Sequence, residues 1–295
     1  MFSIIIPTLN NLKYLKFCIE SISKNSKFNH EIIVHVNLGN DGTIDFLKDR
    51  NIKYTFTEYN AGICEGVNLA AKKAHFEYIL YAHDDFYFCP NWDVILKKEI
   101  DLFQHNNFYL SGTMMNNGQI DFNCGDTVES FDEKKFINNY KSHNYYDFQG
   151  STWAPHLVHK EIWNKIGGFS EEYFPGTGSD PDLNMKMWKL GIRIFKGIND
   201  FKVYHFGSIV TRRYKNHPTI KTESGSRGSK IFLLKWGFSI NFFKRFILRS
   251  ETKYKGELEE PRKNYQYFIS LFLCKIYFFY IKYIYNLNNR NELIK

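Results

Sequence analysis

Cysteine is scarce in this chain, and the five it has (Cys18, Cys64, Cys89, Cys124 and Cys274) are odd in number, widely spaced and never arranged as Cys-x-x-Cys. That excludes a disulfide framework and a structural zinc site. No basic segment opens the chain, and its first apolar stretch is cut by Pro7, so a cleaved secretory signal is not expected and a reducing, cytoplasmic location is. No Gly/Ser or Pro linker divides the first 210 residues, and no internal repeat is visible. A Gly-rich phosphate loop is also missing after the first apolar run, where PTLNNLKY stands, which argues against a nucleotidyltransferase built on such a loop.

What is present is enough apolar material, 43% of 295 residues, for one α/β domain with an extension. Aromatic residues are abundant, but so are Lys, Asn and Ile, a bias that an AT-rich genome produces without any functional cause. The net charge of +8 is uneven: residues 212–295 hold 18 Lys/Arg against 6 Asp/Glu, so the basic character belongs to the tail. Such a tail suits membrane phosphates, nucleic acid, an acidic partner or plain solvation of exposed helices. No zinc or helix-turn-helix pattern accompanies it, so no nucleic-acid partner is expected.

Apolar runs and helical periods alternate along the first half. Residues 2–6 form a strand closed by Pro7, and Leu12, Leu15, Cys18, Ile19 and Ile22 share one helical face. Further runs at 32–36, 53–57 and 78–82 are separated by helical stretches, a βαβ pattern that predicts a mostly parallel sheet flanked by helices. Ligands bind beyond the carboxyl ends of such strands. Three polar clusters fall there: Pro7-Thr8-Leu9-Asn10, Asn37 to Asp41, and His83-Asp84-Asp85. Residues 116–147 are polar and weakly periodic, predicting loops with short strands.

Three segments carry candidate chemistry. In YILYAHDDFYFCPNWD (78–93) an apolar strand delivers adjacent carboxylates, which repel unless a cation or donors compensate them; hard oxygen ligands suit Mg²⁺ or Mn²⁺. An acidic turn capping the next helix would also account for them. In GGFSEEYFPGTGSDPDLNMKMWKLG (167–191) Asp180 and Asp182 stand at a helix start, where one carboxylate can cap and its neighbour can take a proton. An ordinary N-cap is the plain alternative. In KVYHFGS (202–208) a lone His205 ends an apolar run; such a histidine is more often a core or turn residue, yet it can complete an O/N metal site.

In this order and spacing, the segments resemble the family-2 glycosyltransferases, inverting enzymes of the GT-A fold, over roughly residues 1–210. SIIIPTLNNLKYLKFCIESI resembles their opening strand and helix, EIIVHVNLGNDGTIDFLK the second strand and its turn, and NAGICEGVN the segment after it. AHDD resembles the metal-binding Asp-x-Asp element, and GGFSEEYF…GSDPDL the region of the catalytic base. The resemblance implies that Pro7, Thr8, Asn10, Asn37, Asn60, Gly62 and Asn68 border the nucleotide and that Asp84 lies against donor ribose or phosphate. It implies Asp85 and His205 as ligands of Mn²⁺ or Mg²⁺ and Asp180 as general base, with Asp182 supporting the helix start. The partners implied are a nucleotide-sugar, a UDP-sugar first, and a glycan, lipid-linked or protein acceptor.

The sequence departs from the family pattern at Val36-Asn37, where an aspartate usually meets the base, at His83 in the Asp-x-Asp, at Val67 in place of a frequent Arg, and at Ser179 before the catalytic position. Arg212, Arg213 or Lys215 is expected to restore the positive charge near the diphosphate. The departures leave open a non-catalytic sugar-nucleotide or glycan-binding protein on the same scaffold; Asp85, Asp180 and His205 together favour an enzyme.

The expected division is a catalytic domain at 1–211 and a basic helical extension at 212–295. Residues 231–249 and 266–285 mix bulky apolar side chains with spaced Lys/Arg, and Lys275, Lys282, Asn286 and Asn289 lie on one helical stripe. Three readings stand: helices packed on the domain, an interfacial helix on an anionic, cytoplasmic membrane face, or a true span, against which Lys275 counts.

Overall fold

The computed structural model describes residues 1–207, 213 and 225–285. Its first half is the βαβ succession that the apolar runs predict: β1 (Phe2–Leu9), α1 (Leu12–Asn25), β2 (Glu31–Asn37), α2 (Thr43–Asp49), β3 (Lys53–Thr57), α3 (Gly62–Ala71) and β4 (Tyr78–Tyr81). The strands lie in the order β3-β2-β1-β4, all parallel. All eight residues of β1 are buried, as a central strand covered on both faces must be. The expected face of α1 supplies Leu15, Cys18, Ile19 and Ile22 to the core.

Pro7 does not close β1, which runs on to Leu9. Pairing with β4 stops at Ile5↔Tyr81, and the Ala82 N–H donates to the Ile5 carbonyl. Strand residues alternate sides, so Pro7 faces the side β4 has just left, where a missing N–H costs no ladder bond.

The second half is β5 (Phe86–Phe88), α4 (Trp92–Leu102), β6 (Phe108–Met115), α5 (Glu133–Asn139), β7 (Phe148–Gln149), β8 (His156–His159), α6 (Lys160–Ile166), α7 (Ser179–Lys189) and β9 (Ile194–His205). It extends the sheet as β4-β8-β6-β9-β5, with β7 also on β9. Here β8 is antiparallel to β4 and β6, β5 is antiparallel to β9, and β6 is parallel to β9. Residues 116–147 hold a helix, α5, where loops and short strands were expected; Asp132 caps it by accepting the Lys135 N–H.

Among the described residues, the helical elements with stated bounds that follow are α8 (Gly225–Trp236), α9 (Ile240–Phe242) running into a π-helical turn at Phe243–Ile247, and α10 (Tyr265–Phe279), prolonged as π-helix to Tyr285. Ile231, Phe232, Phe243 and Leu248 join the same apolar core as the strands. No helix among the described residues is long and apolar enough to cross a membrane. Asn286 and Asn289 lie outside the described residues, as do Arg212 and Lys215.

Candidate active site

Past Tyr81 the chain carries His83, Asp84 and Asp85 beyond the carboxyl ends of the parallel strands. Antiparallel pairing sets Phe86 opposite His205, and the Phe206 N–H donates to the Asp85 carbonyl at 3.2 Å. Asp85 and His205, 120 residues apart in sequence, therefore meet with Oδ2 3.6 Å from Nε2. His83 completes a trio in which one ligand atom from each residue lies within 4.8 Å of the others.

The surroundings of His205 fix its orientation. Its Nδ1 stands 3.2 Å from the Asn117 carbonyl, which assigns the proton to Nδ1 and turns the Nε2 lone pair toward Asp85. Nε2 is buried without a hydrogen-bond partner. An orphaned imidazole nitrogen facing a buried carboxylate fits a cation, and no other group among the described residues satisfies it. Burial also holds the His83 imidazole down to about 4, keeping its lone pair free.

Asp84 faces the other way and accepts a 2.6 Å hydrogen bond from the Thr8 hydroxyl. Burial and the Asp85 charge push its carboxyl up, while Thr8, Asn11 and the Arg213 guanidinium pull it back. Arg213 donates to the Asn10 carbonyl (2.7 Å) and to Asn11 Oδ1 (3.3 Å), placing a cation at the end of β1.

The remaining expected nucleotide-border residues gather at the same sheet edge, and most spend their polar groups on the backbone. Asn10, held at φ 45°, accepts the Asn40 N–H. Asn37 donates to the Thr8 carbonyl and accepts the Ala61 N–H, and Asn60 accepts the Gly62 N–H. Gly62 adopts φ +72°, and a Cβ there would stand 2.9 Å from the Pro175 carbonyl oxygen. Asn68 clasps both backbone groups of Phe169. These side chains tie β1, β2 and α3 to the loop before α7.

That loop ends at Gly178, in the left-handed region, and α7 presents Asp180 in its first turn. A quarter of the side chain (26%) is exposed, whereas Oδ1 is buried without a hydrogen-bond partner. Burial pushes its carboxyl up to about 7. His156, from β8, places Nδ1 3.8 Å from that oxygen and is held down to about 3 by burial, so it stays neutral. The Tyr81 ring lies 5.1 Å from the His156 ring and 5.4 Å from the His83 ring, so the Asp180 carboxyl and the Asp85 trio flank one aromatic wall. Asp182 is wholly buried and accepts from Ser170, Tyr173 and Trp236 beside Lys235.

Sequence reasoning missed His83 as a member of the trio with Asp85 and His205, having read it as a departure. It also missed His156, whose only signal was a histidine in a short apolar run. Both become visible once β8 is paired with β4 and β9 with β5.

The arrangement has relatives. A curated "Uncharacterized glycosyltransferase" of Rickettsia bellii (strain RML369-C) is 33% identical over 116 residues, covering 38% of this chain and 16% of its own length; the chain thus spans about a sixth of that relative. Solved structures of S. aureus TarS 1-349 are similar in fold at 18% identity. The complex with UDP has a TM-score of 0.54 and covers 83% of this chain and 72% of that one. The complex with UDP-GlcNAc has a TM-score of 0.50 and covers 83% and 76%. The architecture is thus of the GT-A type that the sequence led one to expect. Since the family model "Glycosyl transferase family 2" matches residues 3–163, more than half of the chain, the protein belongs to glycosyl transferase family 2.

Proposed function

We propose that the protein transfers a sugar from a nucleotide-sugar, a UDP-sugar first, to an acceptor hydroxyl on a glycan, lipid-linked sugar or protein, with inversion at the anomeric carbon. The observation that carries this reading is the juxtaposition of the His83–Asp85–His205 trio with the raised, half-free carboxyl of Asp180 across Tyr81. The UDP and UDP-GlcNAc complexes of S. aureus TarS support the choice of donor.

Asp85 and His205 would hold a divalent cation, with His83 as a third ligand; its chemistry there is to neutralise the diphosphate leaving group. Two imidazoles beside one carboxylate favour Mn²⁺ over Mg²⁺, which prefers oxygen. Asp84, tied to Thr8, faces donor ribose or phosphate, and Arg213 adds positive charge beside the diphosphate. Asp180 accepts the proton of the attacking hydroxyl from its exposed edge, since a carboxyl raised to about 7 is a stronger base than an ordinary one and is ionised in a substantial fraction of molecules at neutral pH. Neutral His156 shields the buried oxygen without quenching it by a full charge. Direct attack needs no covalent enzyme intermediate. We place the enzyme on the cytoplasmic side of a membrane, in peripheral contact with it.

A panel of UDP-, GDP- and CMP-sugars with Mn²⁺ or Mg²⁺, read by thermal shift and nucleotide release, tests the proposal. UDP-sugars with Mn²⁺ should give the largest shift and release UDP when acceptor is added. Binding without release for any acceptor class would favour the non-catalytic reading.

A further inference from the structure

The helix α10 carries two unlike stripes. Tyr267, Leu271, Cys274, Phe278 and Ile281 face inward, with Cys274 and Ile281 buried. On the opposite side Phe268, Phe272, Ile276, Phe279 and Tyr283 recur at helical spacing and are each at least half exposed. Such a run of large apolar side chains in water is costly unless something covers it. The stretch from Tyr265 to Tyr283 contains Lys275 and Lys282 and no acidic residue. Lys282 lies over the Phe278 and Tyr283 rings, so its stem shares their apolar surface while its charge stays outside.

Beside the first turn of α10 lies a cleft of about 660 Å³. Five cations line it, Lys244, Arg245, Arg249, Lys253 and Lys255, against Glu251 and Glu257. Arg245 donates to Gln266 Oε1 at 2.9 Å, which joins the cleft to the helix. Asp85, Asp180 and His205 do not line it.

We propose that the outward stripe of α10 and this basic cleft form one docking surface for an anionic phospholipid bilayer, the stripe entering the acyl boundary and the cleft receiving headgroup phosphates. This deepens the peripheral-membrane reading above and rests on it alone, not on the transfer chemistry. Charge selects the occupant. A second copy docked with this surface on its two-fold axis would set basic cleft and lysines against their like, which repel, whereas an anionic surface complements both features. An aromatic stripe with flanking lysines, on a helix not both long and apolar enough to cross a membrane, is the composition of a helix lying in the interface plane. The surface also adjoins the reaction site. Lys244 stacks over the Trp153 ring, the Tyr109 hydroxyl donates to the Trp153 carbonyl, and the Tyr109 ring packs on His156 beside Asp180. These packed contacts join the cleft to the wall of the reaction site.

The test is flotation of the full chain with vesicles of phosphatidylcholine alone and of phosphatidylcholine mixed with phosphatidylglycerol. The chain should float with the mixed vesicles and poorly with the neutral ones. Phe268→Ser, Phe272→Ser and Ile276→Ser combined should weaken binding to mixed vesicles by roughly tenfold or more. Lys253→Glu with Lys255→Glu should erase the preference for the anionic lipid. Both variants change exposed positions, and a cooperative thermal melt at the parent's midpoint shows that each is folded. Because that control needs no nucleotide, a failed donor panel leaves the flotation result standing. Absence of flotation, equal binding to both vesicle types, or undiminished binding by the triple variant would overturn the surface. So would a dimer in solution that the triple variant dissolves while neither protein binds vesicles.

Discussion

Asp180 sits under two opposing demands: its buried oxygen favours the protonated form, and the proposed role as base asks its exposed edge to accept a proton. A folded-state value near 7 against an unfolded one near 4 means that the native protein retains a proton the unfolded chain has lost. The linkage sign follows: between those values stability falls as pH rises. Asp180→Asn should therefore stabilise the fold at pH 8, by on the order of 1–3 kcal/mol. The same change should lower kcat by roughly 10²–10⁴ with donor affinity retained, and abolish a rise in kcat/KM through pH 7. Stopped nucleotide-release assays across pH, alongside thermal melts, check both, and a variant as active as the parent would refute the assignment. The cation position makes its own demand: Asp85→Ala should remove metal-dependent donor binding, while His83→Ala should weaken Mn²⁺ binding and narrow its advantage over Mg²⁺, read by calorimetry. The positions of Asp85, Asp180 and His205 at the ends of regular elements were readable because each follows or opens a periodic run. His156 was not, because its role depends on which strands flank β8.

α3 lies so close to β2 that Gly66 meets His35 directly; a Cβ there would stand 2.4 Å from the imidazole Cδ2. His35 cannot yield easily, being buried and anchored through Nδ1 to the Thr55 hydroxyl at 2.8 Å. Gly66→Ala should therefore cost about 1–3 kcal/mol by overpacking, despite alanine's better helix propensity, and urea unfolding measures it. A neutral or stabilising result would mean that α3 is free to slide on the sheet. At this scale the parallel half of the fold was legible, because each βαβ unit is written in a contiguous stretch of some thirty residues. The antiparallel half was not. The pairings of β8 with β4 and of β5 with β9 join segments far apart in sequence, and no local pattern states their register. α5 escaped notice for a different reason: it is seven residues long and turns only Phe136 fully inward, too short to show a period.

The compositional break near residues 212–229 marks a change in surface charge, and charge is a property of the outside. Apolar partners from both sides of the break occupy one interior. Ile231, Phe232, Leu233, Phe242, Phe243, Ile247, Leu248 and Leu258 are all buried in the core that the strands of the first half build. The polar joint is equally shared, since Asp182 of α7 accepts from Trp236 and pairs with Lys235 of α8. Burying a large apolar side chain contributes roughly 1.5–3 kcal/mol, so these eight together contribute more than about 10 kcal/mol. That is comparable to the entire net stability of a domain, about 5–15 kcal/mol. A chain ending at Ser229 would lose this burial and the indole and ammonium partners that cover the Asp182 carboxylate. It should therefore fail to fold, appearing as insoluble or non-cooperatively melting protein with no UDP-induced thermal shift. A soluble truncation with a sharp melt and intact donor response would show instead that the first half closes its core unaided, and that the tail helices are carried for docking alone.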